Sequence, residues 1–391
     1  MHKQQDGRLQ RRSHKGYLII ALLGLAAMLL PPVAQGAEGG DRLASVLPEI
    51  QDMVANAPGN MGLVVAVTDR DKLRLVAAHG YADFKTRQQV SADTLFAIGS
   101  ISKSFTSIIL MQLWDEGRFD PDLPFSRYLP DFRPGTKFAP ITGAALMTHS
   151  SGLPNYRSDT ASMRYLTVAL NGYQPLYAPG AHYWYSNSAY QLLGYGVERI
   201  EGAAFPSILQ RRVLDRLGMR DSWPQTDQRF QGRIPTSYVR SPADGQWVEA
   251  PWVDYLASDG AILSNGRDMA AYARMLLNGG ESAGESIMSR QAFVRFTTPA
   301  LNDYAFGLFS KNGGKTLSHS GSIAGFNAYL EVRADKDFGV VFLSNGRLDM
   351  AFVRGIVDKL AGQLGQPGGG DSEDDAVTEA GSAQDYAGDY L

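Results

Sequence analysis

Residues 100–117 read Ser100-Ile101-Ser102-Lys103-Ser104-Phe105-Thr106-Ser107-Ile108-Ile109-Leu110-Met111-Gln112-Leu113-Trp114-Asp115-Glu116-Gly117. From Ser102 to Glu116 the residues Phe105, Ile108, Ile109, Met111, Leu113 and Trp114 fall at helical spacing, and Gly117 supplies the stop. The spacing predicts a helix that carries Ser100 at its start and Lys103 one turn on. Outward from this helix the chain changes character. Upstream, Met61–Thr68 and Leu73–Ala78 are apolar, β-branched runs joined by Asp69-Arg70-Asp71, which predicts an antiparallel hairpin. Downstream, a stretch rich in Pro, Gly and aromatics carries helical segments near 189–200, 205–216 and 267–278. Strands return at Thr316–Ser320, Phe326–Arg333 and Phe338–Ser344, the last two joined by Ala334-Asp335-Lys336-Asp337. An amphipathic helix follows from about Asp349 to Leu364. Strands at both ends with helices between predict an α+β fold, an antiparallel sheet flanked by N- and C-terminal helices with a large helical subdomain inserted over roughly 120–300. The alternating rhythm of a doubly wound parallel sheet is absent.

Composition narrows the chemistry. The 391 residues include no Cys, which excludes disulfides, thiolate metal sites and a Cys nucleophile. The 37 Lys and Arg against 40 Asp and Glu give a net charge of −3, with no long basic run outside the N-terminus, so a nucleic-acid or anionic-membrane surface is not suggested. The N-terminus reads as an export signal. Lys3, Arg8, Arg11, Arg12 and Lys15 precede an apolar run from Tyr17 to Leu30; Pro31 and Pro32 stop it, and Val33-Ala34-Gln35-Gly36-Ala37 offers small residues for cleavage. That run is shorter than the roughly 20 residues a bilayer crossing requires. The expectation is a signal peptide over 1–37, a catalytic domain over 38–365 and an acidic, Gly-rich tail over 366–391. A secreted or periplasmic location follows, with no membrane span kept after cleavage.

Three short motifs carry chemistry. Ser100-Ile101-Ser102-Lys103 is the single Ser-x-x-Lys in the chain. Residues three apart share a helix face, so the Lys103 amine meets the Ser100 hydroxyl. Serine is a weak nucleophile that needs an adjacent base, and a desolvated lysine near a helix N-terminus loses its proton more readily. Tyr185-Ser186-Asn187, the single Tyr-x-Asn, follows the Pro179-Gly180 turn. In an extended segment Tyr185 and Asn187 project to one side, where a phenol shuttles protons and an amide bonds Lys103 and a substrate carbonyl. His319-Ser320-Gly321-Ser322 lies in an expected strand. There Gly321 permits close approach of a substrate backbone, and the N–H groups of Ser322 and Ser100 form an oxyanion hole. His319 lines the opposite wall. None of the six His has metal-ligand spacing, and no cofactor is implied.

The three motifs together, in this order, resemble the serine β-lactamase and penicillin-recognising group, in the branch of class C β-lactamases, serine D-Ala-D-Ala carboxypeptidases and related esterases. The resemblance runs over roughly 45–365. It includes Asp93-Thr94-Leu95-Phe96, Met147-Thr148-His149-Ser150-Ser151-Gly152-Leu153-Pro154, Pro179-Gly180, Leu192-Leu193-Gly194, Leu217-Gly218-Met219 and Ser344-Asn345. It implies the β-lactamase/transpeptidase-like fold, with Ser100 as the acylated nucleophile and Lys103 and Tyr185 sharing the general-base role. It further implies that Asn187, His319, Ser320 and Gly321 contact substrate. His319 stands where class C β-lactamases typically have lysine, and a histidine, mostly neutral at pH 7, gives no permanent cation for a substrate carboxylate. The resemblance therefore implies a carboxypeptidase-like or esterase-like hydrolase with weak or no β-lactam turnover. Its substrates would be a peptidoglycan stem peptide, an ester or a β-lactam. Tyr386-x-Gly388-x-Tyr390 resembles the start of a small β-barrel domain that some relatives append.

Two other readings compete. One is a sensor or binder of penicillin or wall peptides that is acylated without turnover. The other is an α/β-hydrolase. Gly280-Glu281-Ser282-Ala283-Gly284 fits Gly-x-Ser-x-Gly, and Asp303 and His319 follow in the matching order. A nucleophile elbow, however, needs a strand before Ser282 and a helix after it. Here a helical segment and Asn278-Gly279 precede it.

Overall fold

The computed structural model describes residues 42–135, 137–155 and 162–362. The expected signal peptide and the acidic tail lie outside the described residues. Six strands form the central antiparallel sheet: β1 (Leu63–Thr68), β2 (Leu73–His79), β3 (Phe309–Lys311), β4 (Thr316–Ile323), β5 (Phe326–Arg333) and β6 (Phe338–Ser344). Their spatial order is β3-β4-β5-β6-β1-β2, so the first strand and the last pair at the middle of the sheet, with Leu63 opposite Ser344 and Thr68 opposite Gly339. Helix α1 (Arg42–Ala55) precedes the sheet, and α2 (Ser102–Asp115), α3 (Asn187–Glu201) and α4 (Gly266–Leu277) come from the segment between β2 and β3. Helix α5 (Met350–Ala361) follows β6.

Period-two alternation explains how the layers assemble. Leu63, Val65 and Val67 of β1 and Phe338, Val340 and Phe342 of β6 face one way. There they pack with Leu43, Ile50 and Val54 of α1 and Val353, Ile356, Val357 and Leu360 of α5. Val64, Ala66, Val341 and Leu343 face the other way, into the larger core shared with α2, α3 and α4. Both faces are covered, so these strands read as unbroken apolar runs. Helix α4 approaches the sheet so closely that a Cβ at Gly339 would lie 2.9 Å from the Ala273 Cβ.

Helix α2 runs through the middle of the larger core. Its residues Ser102 to Leu113 are buried on every side, including the polar ones. Each buried hydroxyl or amide nitrogen has a partner, as burial requires. Thr106 Oγ1 donates to the Ser258 carbonyl at 2.7 Å, Ser104 Oγ donates to the Ile101 carbonyl at 2.7 Å, and Gln112 Nε2 donates to the Arg212 and Ile287 carbonyls. The segment expected as one helix over 205–216 is broken into Phe205–Leu209, a π-turn at Gln210–Leu214 and Asp215–Leu217. Strand β4 runs three residues beyond the expected Ser320, through Gly321 and Ser322, and this extension builds one wall of the candidate site. Among the described residues, no helix is long and apolar enough to cross a membrane.

Candidate active site

A short 3₁₀ turn, Gly99–Ile101, leads into α2 and presents Ser100, half-buried, at the mouth of a cleft. Lys103, one turn on, is fully buried. Its Nζ donates to Ser100 Oγ at 3.0 Å and to the Asp259 backbone carbonyl at 3.0 Å. It also lies 4.9 Å from the Tyr185 ring centroid and 5.8 Å from that of Tyr190. Burial lowers the Lys103 pKa to about 8, partly opposed by the charge of Asp259. A neutral amine is therefore accessible close to neutral pH. Burial pushes the Tyr185 phenol up, a hydrogen bond with the Ser100 side chain pulls it partly back, and Asp259 adds a smaller upward push. The phenol consequently keeps its proton near neutral pH.

Strand β4 supplies the opposite wall. A Cβ at Gly321 would lie 2.0 Å from the Ile98 carbonyl oxygen and 3.3 Å from the Ser100 nitrogen, and one at Gly99 would lie 2.7 Å from the Ser322 nitrogen. Only glycine at both positions lets the nucleophile turn lie against the strand. Strand β3 pairs with β4 only at Thr316–Ser318, which leaves the edge from His319 to Ile323 open toward Ser100. The β4–β5 hairpin closes at Ile323–Phe326 around Ala324 and Gly325, both at positive φ, 45° and 84°. A two-residue hairpin of this kind bonds its closing pair, and bonding alternates from there, so the Ser322 N–H points out of the open edge. The backbone N–H groups of Ser322 and Ser100 thus meet across the gap beside the Ser100 hydroxyl.

His319 is buried on the face of β4 that looks toward this cleft. Its Nδ1 donates to the Ser320 carbonyl at 2.5 Å and its Nε2 accepts from the Tyr304 hydroxyl at 2.9 Å. Burial and the nearby Lys103 push its pKa down to about 3, so the ring is neutral and both nitrogens are engaged. Ser320 and Ser322 project to the other face of β4, opposite Tyr329 and Asn327. Asn187 is the first residue of α3. The helix cap is Ser186, whose Oγ accepts from Ala189 N–H, and the Asn187 N–H donates to Asn155 Oδ1 at 2.9 Å. Both hydrogen bonds from Lys103 go elsewhere than to the Asn187 amide.

The family model described as Beta-lactamase matches residues 50–362, most of the chain. The chain belongs to the beta-lactamase family. That family is one of serine hydrolases on the β-lactamase fold. Protein flp of Staphylococcus aureus (strain NCTC 8325 / PS 47) is 24% identical over 324 residues, 78% of this chain and 63% of that protein. Unguisins hydrolase ungD of Aspergillus violaceofuscus is 24% identical over 330 residues, 73% of this chain and 58% of its own length. The chain thus spans about 60% of the length of these relatives. Among solved structures, the octameric penicillin-binding protein homologue from Pyrococcus abyssi superposes with a TM-score of 0.71, at 23% identity over 82% of this chain and 78% of that one. The beta-lactamase/D-alanine carboxypeptidase from Pseudomonas syringae superposes with a TM-score of 0.68, at 22% identity over 83% of this chain and 99% of that one. At these identities the likeness is one of fold, and it agrees with the sheet-plus-helices architecture described above.

On this beta-lactamase fold the structure brings Ser100, Lys103, Tyr185, His319 and Gly321 to one cleft. It adds two groups that the sequence reading passed over. His149, in the Thr148-His149-Ser150 stretch, is buried at a positive φ of 54°. Its carbonyl accepts from Trp184 N–H at 2.7 Å and its Nδ1 accepts from Ser186 N–H at 3.1 Å, so it holds both chain neighbours of Tyr185. Its ring lies 4.1 Å from the Tyr185 ring, centroid to centroid. The quoted Met147–Pro154 stretch was the signal for it, although that stretch carried no assigned role. Asp259 is the second group. Its Oδ2 accepts from the Tyr255 hydroxyl at 2.8 Å, and its carboxyl pKa is raised by burial against the opposing effects of Lys103 and Tyr255. No motif marks Asp259, because only the fold puts it beside Lys103. Ser282 lies in a small hairpin of Glu281–Ser282 with Glu285–Ser286, so the helix that an elbow requires does not follow it.

Proposed function

We propose that this beta-lactamase-family protein is an exported serine hydrolase that forms an acyl-enzyme on Ser100, acting on uncharged ester or amide substrates in an esterase-like manner. The observation that carries the reading is the Ser100 hydroxyl 3.0 Å from a buried lysine with a pKa of about 8, facing an open strand edge. Neutral Lys103 takes the Ser100 proton as Oγ attacks the carbonyl carbon, and the oxyanion is held by the N–H groups of Ser100 and Ser322. The tetrahedral intermediate collapses as Tyr185 gives its proton to the leaving group and regains one from Lys103. Water then attacks the acyl-enzyme and releases its proton through the same pair, and the acid departs from Ser100. The open β4 edge suits an extended substrate added as a strand.

His319 favours esters over carboxylate-bearing peptides within this reading. It is neutral and fully engaged, so it offers no cation to a D-Ala-D-Ala carboxylate or a β-lactam carboxylate. The pattern of residues 3–37 supports export, and cell fractionation tests that part. Intact-mass measurement after exposure to a p-nitrophenyl ester, a D-Ala-D-Ala peptide and a penicillin tests the chemistry. The expected result is a transient acyl adduct with the ester, absent in Ser100→Ala, and slow or undetectable turnover of a chromogenic cephalosporin. A penicillin adduct that persists, with no ester turnover, would instead indicate a sensor. Rapid cephalosporin hydrolysis would overturn the preference for neutral substrates.

A further inference from the structure

Beyond the catalytic cleft lies a cavity of about 300 Å³, lined among others by Ile234, Pro235, Trp252, Val253, Tyr255 and Ile323. Its position relative to Ser100 follows from β4. Gly321, which abuts Ile98 and Ser100, and Ile323 share one face of the strand, two residues or about 7 Å apart. Tyr255 and Ile323 close in again at Gly260, whose Cβ would lie 3.0 Å and 3.7 Å from them. The cavity therefore opens where β4 ends, next to the oxyanion donors.

We propose that this cavity is the acyl subsite of the enzyme and that it takes an uncharged, apolar acyl chain; the proposal rests on Ser100 being the acylated nucleophile. The direction of the substrate is set by proton transfer. The leaving group must lie beside Lys103 and Tyr185, and the Tyr185 ring is 6.5 Å from that of His319, toward the start of the open edge. With the carbonyl oxygen between Ser100 and Ser322, the remaining substituent runs the other way, toward Ile323 and the cavity.

The lining decides the chemical class. Its polar side chains are largely engaged by the protein itself. Ser237 Oγ donates to the Ala324 carbonyl at 2.5 Å, Thr236 Oγ1 to Asp83 Oδ2 at 2.7 Å and Thr226 Oγ1 to the Ala261 carbonyl at 3.0 Å. The Tyr255 hydroxyl donates to Asp259. Among the described residues that line it, Glu249 alone is charged, and it pairs with Lys85 at 2.6 Å. Among the described residues no lining cation is present to accept a carboxylate, and an acidic acyl group would meet Glu249. The volume is at the small end for ligand pockets and suits a medium aliphatic or phenyl-substituted acyl chain.

The test is a series of p-nitrophenyl esters that share one leaving group: acetate, butyrate, hexanoate and the anionic hemisuccinate. In the intact protein kcat/KM rises by about fourfold or less for each buried methylene, at least tenfold from acetate to hexanoate, and hemisuccinate gains nothing. Ala250→Trp, which fills the cavity, collapses the hexanoate-to-acetate ratio toward one. Ile323→Ala, which enlarges it, moves the optimum to longer chains. A ratio near one in the wild type, or one that both variants leave unchanged, overturns the proposal. The underlying function is judged separately by the acyl adduct on Ser100. If no ester acylates Ser100, thermal stabilisation by hexanamide but not acetamide, lost in Ala250→Trp, still upholds an apolar ligand site. Without that stabilisation the site falls as well.

Discussion

A lysine amine 3.0 Å from a serine hydroxyl is useful as a base only in its neutral form, so the balance of burial against nearby charge sets the working pH. Burial brings Lys103 to about 8, and the Asp259 charge holds it higher than burial alone would. Acylation is therefore expected to increase as pH rises through about 8 and to level off above it. Asp259→Asn removes the charge that stabilises the Lys103 ammonium, so the inflection moves to lower pH. A kcat/KM profile for ester hydrolysis from pH 6 to 10 measures this, and an unmoved inflection would show that the Asp259 carboxyl is silent. The sequence made Ser100, Lys103 and Tyr185 legible because each sits in a motif that occurs once, and the lysine spacing is that of one helical turn. Asp259 and His149 were not legible as site residues. Their roles depend on which chain segments pack against Lys103 and Tyr185, and this is a property of tertiary structure.

At the level of elements, the site depends on the nucleophile turn touching β4. Gly321→Ala inserts a methyl group 2.0 Å from the Ile98 carbonyl, which forces the Ser100 turn and the Ser322 N–H apart. Losing one oxyanion donor costs on the order of 10²–10³ in rate. Gly321→Ala is thus expected to lower kcat for ester turnover by about 10²-fold while far-ultraviolet circular dichroism stays native-like; retained activity would disprove the oxyanion-hole geometry. The strong elements were readable in advance: α2 from its apolar spacing, β5 and β6 from their β-branched and aromatic runs. The extension of β4 through Gly321 and Ser322 was legible only through the His319–Ser322 motif, since neither residue favours a strand by itself. That extension exists because Ala328 and Asn327 of β5 offer ladder partners. Short helices such as Gly143–Met147 and Arg290–Thr297 also escaped, because one or two turns leave little periodicity to detect.

For the whole molecule, the terminal helices act as the cover of the sheet face away from the cleft. Leu360 of α5 is wholly buried there among Ile50, Val54 and Phe338. Leu360→Ala is expected to cost about 2–5 kcal/mol of stability, read as a lower denaturation midpoint, with ester turnover by the folded fraction retained. A midpoint unchanged within error would mean that α5 contributes little to holding the sheet.

The pairing of β1 with β6 has a consequence for biosynthesis. The Gly62 N–H bonds to the Asn345 side chain, 283 residues away, at the point where these two strands meet. During translation β1 waits, apolar on both faces, until β6, its ladder partner, has also left the ribosome. Such distant partners make folding slow and leave the nascent chain open to aggregation. A holdase that shields residues 63–68 would accordingly raise the yield of soluble product more than any change at the cleft.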